Sequence, residues 1–508
     1  MSDSPQETTP TARFNQGVFF TGAGTSFNVA FIFLETVVAV RLLDTESYGL
    51  FVLLVAVVNF LVMASDFGIA TAIVKLVASS DGQRQSSLAN SIVLFRLAVV
   101  AGVALMIWLA QPIFGLVDTL AGLPDYAIYI PMMLLFTSFD ELLFNMLQGF
   151  RIYRQVAIAQ SLRGVLRLAL TLLFLVALKA GVVGLIYSWT ISFAASALYA
   201  WWALPVKKYW TWQPALLKET LGFGAPLTIT RFLWFAFNHL HVLLLGALAG
   251  PASVALYSVA TRIPTVLERF SQAYISVFFP TMSALLAEGK REQANRVLDR
   301  SLRLVSFATA LLAVVVAVFN QEIVNLIFSE RYAAVGSALA LLMMAFQMIF
   351  IISILGYTLT AAGYPGLALR ESAARTMLTM LGDIILIPLM GFIGPVVAVL
   401  FGGYATNPLM VAFLRRSGIP VNVKSYAKQI VTLIACVLLF ALLQPAHIIY
   451  KLSIIALFVA LSVSFSTVSA RDFSLVLPEG LARQLTTLEA QLSQKFVARV
   501  NALFRRSP

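Results

Sequence analysis

Four arginines lie in stretches of the sequence that are otherwise apolar, where a charge is costly. Arg231 stands within GAPLTITRFLWFAFNHLHVLLLGALAG, residues 224–250, and the other three are Arg163, Arg167 and Arg262. A guanidinium at the centre of a bilayer costs about 2.5–3.5 kcal/mol on insertion scales. Each arginine therefore needs a counter-charge, supplied either by an acid of the protein or by an anionic ligand in a hydrated cavity.

Helical spacing places further polar residues beside these arginines. Residues seven positions apart share a helix face, and the rise per residue puts the four arginines at similar depths. The spacing predicts that polar stripes from several helices converge on a water-filled cavity. The candidate substrate-binding residues are Arg231, Arg262, Arg163, Arg167, Asn238, Ser258, Asn28 and Asn59, and the candidate carboxylates for a coupling ion are Glu35 and Asp66.

A purely structural role for the arginines is the alternative. Four acids in or near the apolar stretches could neutralise them and clamp helices together: Asp140, Glu141, Glu268 and Asp383. The two intramembrane histidines, His239 and His241, point about 160° apart on a regular helix and cannot share a metal ion. They are either satisfied interfacial histidines or a pH-responsive gate. We predict no catalytic residues, metal site or cofactor.

The elements that carry these residues are predicted to be transmembrane helices. The chain has 508 residues, of which 60% are hydrophobic and 11% charged, against about 45–50% and 25% in soluble domains. Apolar windows of membrane-spanning length predict an all-α polytopic membrane protein with about fourteen transmembrane helices. Their approximate limits are 15–41, 47–76, 88–114, 125–149, 155–178, 182–204, 222–248, 252–286, 298–319, 335–361, 368–388, 392–414, 427–444 and 447–469.

The net charge of +12 follows the topology and does not indicate a nucleic-acid partner. With a cytoplasmic N-terminus, the inner loops and tails carry about 23 Lys and Arg and the outer loops about four, as the positive-inside rule requires. We therefore predict a bacterial cytoplasmic membrane protein with both termini in the cytoplasm. Residues 1–14 are predicted to be a disordered tail, and residues 470–508 a cytoplasmic amphipathic tail.

Short sequences recur at nearly constant separation and suggest that a six-helix unit is repeated. GAGT at 22–25 matches GAPL at 224–227, SYGLF at 47–51 matches SVALY at 253–257, and GVVG at 181–184 matches GFIG at 391–394. Copies with an even number of helices enter from the same side, so they form two parallel lobes. We predict an N-lobe at 15–204, a C-lobe at 205–414, and two extra helices at 427–469, with a central cavity between the lobes.

Three segments resemble one family: residues 42–78 (LLDTESYGLFVLLVAVVNFLVMASDFGIATAIVKLVA), residues 243–263 (LLLGALAGPASVALYSVATRI) and LQGFR at 147–151. They are similar to the polysaccharide transporters, or O-unit flippases, of the multidrug/oligosaccharidyl-lipid/polysaccharide exporter superfamily. The resemblance implies a central cavity lined by the first, second, seventh and eighth spans. It also implies export of a polyprenyl-pyrophosphate-linked oligosaccharide by alternating access. Related lipid II flippases hold the pyrophosphate with arginines on the first, second and eighth spans, and here only Arg262 matches approximately.

The expected function is thus a flippase for surface polysaccharide biosynthesis, with Arg231 and Arg262 engaging the pyrophosphate. The expected partners are the lipid-linked glycan, membrane lipids, and a glycan polymerase or glycosyltransferases of the same pathway. The driving force is expected to be the membrane potential, H⁺ or Na⁺. An ion-coupled multidrug antiporter of the same fold and a membrane glycan polymerase or ligase are the alternatives.

Overall fold

The computed structural model describes residues 10–114, 123–444 and 447–464, and these residues form helices and no strands. Twelve helices in this part of the chain are long and apolar enough to cross a membrane, judged by length and composition. Two shorter apolar helices, Ile69–Ala78 and Ile448–Ser464, accompany them. The predicted all-α, polytopic fold class is confirmed.

The chain divides into two compact units. The first comprises Met1–Arg262, Ile327–Tyr332 and Asp383–Pro395, and the second comprises Ile263–Leu326, Ala333–Gly382 and Val396–Pro508. The helices that begin in the first unit are α1 (Pro10–Leu42), α2 (Thr45–Ala64), α3 (Ile69–Ala78), α4 (Gly82–Phe114), α5 (Leu123–Tyr126), α6 (Ile130–Gly149), α7 (Tyr153–Leu172), α8 (Gly181–Ala203), α9 (Pro214–Phe235) and α10 (His241–Ala287).

The remaining helices belong wholly or mostly to the second unit. They are α11 (Arg291–Val318), α12 (Asn320–Ile327), α13 (Val335–Ala361), α14 (Pro365–Met390), α15 (Ile393–Arg416), α16 (Lys424–Leu443) and α17 (Ile448–Ser464). The lobe boundary at residue 204 was predicted from an internal repeat. The two compact units are defined by how the residues pack, which does not show whether a six-helix unit is repeated. The two lobes therefore stay a prediction.

The second predicted span consists of two helices, α2 and α3. The backbone between them turns through two residues with positive φ, Phe67 at 51° and Gly68 at 74°. A Cβ on Gly68 would lie 2.0 Å from the carbonyl oxygen of Gly224, so only glycine allows α3 to approach α9 this closely. The turn places Asp66 at the start of α3, where its carboxylate accepts a hydrogen bond from the amide of Ala70 at 3.2 Å.

The seventh and eighth predicted spans meet at one sharp break. A π-helical turn, Ala236–Leu240, joins α9 to α10, and α10 contains non-helical backbone at Gly250, with φ 79° and ψ 172°. That conformation is essentially restricted to glycine, and Pro251 follows it. The break lies between the predicted limits of the two spans, 222–248 and 252–286.

The structure changes the prediction for the N-terminal tail. Helix α1 begins at Pro10, so residues 10–14 are helical where a disordered tail was predicted. Residues 1–9 lie outside the described residues, and so does the predicted amphipathic tail at 470–508.

A buried apolar core fixes the helices that carry the charged residues of the first unit. It includes Ile69 and Ile73 on α3, Ile92 on α4, Met146 on α6 and Val156 on α7. Because these helices are held together by close packing, the side chains on their other faces have defined partners.

Candidate functional site

Arg231 on α9 is paired with two acids of the protein. Its guanidinium donates to Asp66 at 2.8 Å and also to Glu141 on α6. The Arg231 side chain is 23% exposed, and that of Asp66 is 5% exposed. These two carboxylates offset the cost of placing an arginine in an apolar segment, and Asp66 is not a free ion-coupling carboxylate in this conformation.

Arg163 and Arg167, one turn apart on α7, have separate acidic partners. Arg163 pairs with Asp140 on α6, and its guanidinium carbon lies 4.9 Å from the centre of the Phe193 ring. Arg167 pairs with Glu35 on α1 at 3.0 Å and lies 4.2 Å from the centre of the Trp189 ring. Glu35, the other predicted ion-coupling carboxylate, is thus engaged in a buried ion pair.

Arg262 on α10 has only neutral hydrogen-bond partners, and the Glu35 carboxylate interacts with its charge from further away. Its Nη2 donates to the hydroxyl oxygens of Tyr48 at 3.1 Å and Ser258 at 3.3 Å, and its Nε is buried without a partner. No carboxylate in the described part of the chain forms an ion pair with it. Arg262 therefore has a positive charge and an unused donor available to an anion.

Arg96 on α4 belongs to the same polar system and was not singled out from the sequence. It is 2% exposed and donates to the backbone carbonyls of Ser65 and Val62, the latter at 3.3 Å. These carbonyls end α2, where a cation is favoured by the helix dipole. Arg96 thereby fixes the turn that presents Asp66 to Arg231. Its position inside the predicted span 88–114 was the signal that could have identified it.

A cavity of about 310 Å³ opens among these groups, entirely within the first unit. Its lining combines two carboxylates and two arginines with amides and aromatic rings: Asn59, Val62, Met63, Thr137, Asp140, Glu141, Phe144, Gln160, Arg163, Trp189, Phe193, Arg231, Phe235 and His239. The formal charges of the two carboxylates and the two arginines on this lining cancel. Of the predicted substrate-binding residues, Asn59, Arg163 and Arg231 line this cavity.

The other predicted residues do not line this cavity. Arg167 and Arg262 form a second group, the Arg262 cluster, with Glu35, Tyr48 and Ser258. Asn28 is buried where α1 meets Gly164 of α7. Asn238 lies in the π-helical turn, and its side chain is outside the described residues. Sequence spacing placed the arginines at similar depths but could not give helix rotations.

The remaining acids of the apolar stretches differ in whether they neutralise an arginine. Arg375 pairs with Glu371 at 3.3 Å on its own helix, and Thr406 donates to the same carboxylate at 2.7 Å. Asp383 is 2% exposed, and its Oδ1 has no hydrogen-bond partner within the described residues. Glu268 is exposed and therefore does not act as a buried clamp.

The sequence matches a known family. Residues 14–286 match the family described as polysaccharide biosynthesis protein, which covers more than half of the chain. The chain belongs to this family.

Two curated proteins are similar over most of their length. The chain is 23% identical to the probable low-salt glycan biosynthesis flippase Agl15 of Haloferax volcanii, over 76% of this chain and 80% of that protein. It is 22% identical to stage V sporulation protein B of Bacillus subtilis, over 80% of this chain and 84% of that protein.

Two solved structures share the fold. The lipid II flippase MurJ in an inward closed conformation matches with a TM-score of 0.67 and 14% identity, over 89% of this chain and 98% of that chain. An inward-facing multidrug resistance MATE transporter of the MOP superfamily matches with a TM-score of 0.63 and 16% identity, over 78% and 94%. These similarities establish the fold class, and they do not distinguish a flippase from a multidrug transporter.

Proposed function

We propose that this protein is a flippase that moves a polyprenyl-pyrophosphate-linked oligosaccharide across the cytoplasmic membrane by alternating access, for surface polysaccharide biosynthesis. Its family and its similarity to a glycan biosynthesis flippase support this function. One observation carries the chemistry of the proposal. Arg262, on a membrane-spanning helix, forms no ion pair within the described chain, because Glu35 pairs with Arg167, and it has an unused Nε donor.

The Arg262 cluster has the chemistry that a diphosphate needs. Guanidinium groups form charge-assisted, often bidentate hydrogen bonds to phosphate oxygens. Arg167 and Arg262 contribute two positive charges and Glu35 one negative charge, so the cluster has a net charge of +1. A diphosphate would supply the missing counter-charge, and Tyr48 and Ser258 would offer hydroxyls beside it. In this proposal Arg231, with its two acidic partners, holds helices together instead of binding the diphosphate.

Export in this direction needs no nucleotide. A charge crossing the membrane potential changes its free energy by about 2.3 kcal/mol per 100 mV. Moving two negative charges out of a negative-inside cell therefore releases about 4–5 kcal/mol per 100 mV, less any counter-charge that moves. Coupling to H⁺ or Na⁺ would add to this term. The proposal includes cytoplasmic termini, and glycosyltransferases or a polymerase of the same pathway as partners.

A multidrug antiporter is the second candidate because the MATE transporter fold is also matched. A site for lipophilic cations needs uncompensated negative charge. In this network Asp140 and Glu35 are each paired with one arginine, and Asp66 and Glu141 share Arg231. The nearby Arg96 offsets the fourth carboxylate. The observation that favours the flippase is therefore the sign of the charge left over within this arginine network, which is positive at Arg262.

Reconstitution of the purified chain into liposomes tests the proposal. The probe is undecaprenyl-pyrophosphoryl-N-acetylglucosamine, and the readout is its modification by a galactosyltransferase added outside. Protein-free vesicles expose only their outer-leaflet probe, about half of the total. We expect the protein to expose nearly all of it. An exposed fraction that stays at half, together with protein-dependent transport of ethidium, would establish the antiporter instead.

A further inference from the structure

We infer that the cavity in the first unit, lined by α2, α6, α7, α8 and α9, binds a sugar ring of the lipid-linked glycan, separately from the diphosphate at Arg262. The inference rests on the proposed function and adds the location and chemistry of the glycan subsite. Four observations support it: balanced charge, uncommitted amides, aromatic walls and a small volume.

The balanced charge of the cavity argues against a diphosphate there. Arg163 is paired with Asp140, and Arg231 is paired with both Asp66 and Glu141. The neighbouring Arg96 offsets the third carboxylate. An entering anion would meet these carboxylates and would have to separate buried ion pairs, which is strongly unfavourable. A sugar carries hydroxyls that both donate and accept hydrogen bonds. It can therefore bond to a paired carboxylate or guanidinium without disrupting the pair.

Two neutral amides on the cavity wall have unused hydrogen-bonding capacity. The amide of Asn59 on α2 forms no hydrogen bond within the described chain. Gln160 on α7 accepts a hydrogen bond from Thr25 at 3.1 Å through its carbonyl oxygen. Its NH₂ group donates to no described residue and is accessible from the cavity side. Such groups are suited to neutral hydroxyls and give no net attraction to an ion.

Aromatic side chains form the other walls, as the C–H faces of a pyranose require. Trp189 is held in place and offers its edge to the cavity, since its ring stacks on Phe193 with centroids 4.7 Å apart, Arg167 lies over the ring at 4.2 Å and its Nε1 donates to Thr137 at 3.2 Å. Phe144 and Phe235 lie on the same lining. Ligand sites typically combine such apolar and aromatic walls with a few placed polar groups.

The size of the cavity limits what it can hold. Its volume of about 310 Å³ is at the low end of the range of about 300–1,000 Å³ for ligand sites. It suits a single sugar ring and is too small for an oligosaccharide together with a diphosphate. The cavity is therefore a subsite for one end of the glycan.

The test compares carriers with and without a sugar. The full-length protein in nanodiscs is titrated with undecaprenyl pyrophosphate and with the same carrier bearing N-acetylglucosamine, galactose or glucose. The cavity variants are Asn59→Ala and Gln160→Ala. Gln155→Ala is the control, because Gln155 is on the same helix as Gln160 and outside the cavity. The melting temperature of each variant shows that it is folded.

We expect at least one glycosylated carrier to bind to the wild type more tightly than the bare carrier. Asn59→Ala and Gln160→Ala should each weaken that binding by about three- to tenfold, the effect of one net hydrogen bond. They should leave the bare carrier within twofold, and Gln155→Ala should change neither. Equal weakening of bare and glycosylated carriers, or no contribution of any sugar in the wild type, would overturn the subsite while flipping remained. Absence of flipping by the wild type would instead refute the proposed function.

Discussion

The guanidinium of Arg231 on α9 donates to the carboxylate of Asp66, 165 positions earlier, across 2.8 Å. This pair connects α9 to the turn between α2 and α3, and Glu141 adds α6 to the same network. An arginine in an apolar segment is thus neutralised by acids from two other helices. Arg262 differs because its partners are neutral hydroxyls.

The Arg231–Asp66 pair is predicted to be a structural clamp. Asp66→Asn leaves Arg231 with one acidic partner, and Arg231→Met leaves Asp66 and Glu141 without the cation that they hydrogen-bond. Removing one partner of a buried pair costs about 3–5 kcal/mol, and we expect the low end because Arg231 is 23% exposed. Thermal unfolding in detergent measures the loss. The double variant should lose clearly less than the sum of the single variants, and simple additivity would mean that the residues do not interact.

The sequence indicated which acids could neutralise the arginines, but it did not indicate which acid pairs with which arginine. Asp140 and Glu141 were candidates because they lie within an apolar segment, and the structure pairs them with Arg163 and Arg231. Which acid meets which arginine depends on helix rotation and on packing between helices that are distant in sequence. A local pattern does not contain that information. The same limit explains why Asn28, which shares a face with Glu35, packs against α7 and not at the cavity.

Most predicted span limits lie within a few residues of a helix end, because hydrophobic length is a local property, but the second and seventh predicted spans each combine more than one helical segment. The turn at Phe67 and Gly68 was not predicted, because MASDFGIA at 63–70 continues an apolar run and only Gly68 hints at a break. The close approach of Gly68 to Gly224 is a tertiary requirement that no periodicity reveals. Arg96 was not predicted because it bonds to backbone carbonyls, and the spacing of polar side chains does not reveal such a contact.

Arg96 is predicted to stabilise the turn that carries Asp66. Arg96→Met would leave the buried carbonyl of Ser65 without its donor, whereas the carbonyl of Val62 would keep the hydrogen bond from the Ser65 hydroxyl at 3.2 Å. An unsatisfied buried polar group costs about 1–3 kcal/mol, so we expect a loss of that size for each carbonyl that finds no other donor. Hydrogen exchange should speed up at residues 62–70 and stay unchanged in α13. Unchanged exchange at this turn would contradict the role of Arg96.

The ion pair between Lys451 and Glu322 in the second unit is predicted to be asymmetric. The Lys451 side chain is 9% exposed, whereas that of Glu322 is 53% exposed. Glu322→Gln therefore leaves a buried ammonium without its counter-ion, while Lys451→Met leaves a carboxylate that water can solvate. We expect Glu322→Gln to lower the melting temperature more than Lys451→Met. The reverse order would show that Lys451 does not need the pair.

Asp44 is predicted to stabilise the start of α2 in a pH-dependent manner. Its side chain accepts a hydrogen bond from the amide of Ser47 at 2.8 Å. The pKa of Asp44 is lowered, chiefly by hydrogen bonds from Ser47. The stabilisation is therefore complete above the unfolded-state pKa of about 3.9 and is lost as the pH falls through the lower pKa of the folded protein.

Loss of the Asp44 cap should cost about 1 kcal/mol, so Asp44→Ala should be less stable than the wild type at pH 7. The difference should shrink as the pH is lowered below 4, which thermal melts in detergent at several pH values can measure. Glu46→Ala, two residues further along the chain and not the cap, is the control. A difference that stays constant from pH 7 to pH 3 would contradict capping by the ionised carboxylate.

The central claim is that Arg262 binds the diphosphate of the substrate, and one comparison tests it most directly. Flipping of undecaprenyl-pyrophosphoryl-N-acetylglucosamine per folded molecule is measured for Arg262→Ala, Arg262→Lys and Arg269→Ala, with melting temperatures alongside. Arg269 is an exposed arginine on the same helix. We predict a severe loss for Arg262→Ala at unchanged or raised stability, partial activity for Arg262→Lys because ammonium lacks the planar fork, and normal flipping for Arg269→Ala. A destabilised Arg262→Ala protein that flips normally per folded molecule would contradict the claim.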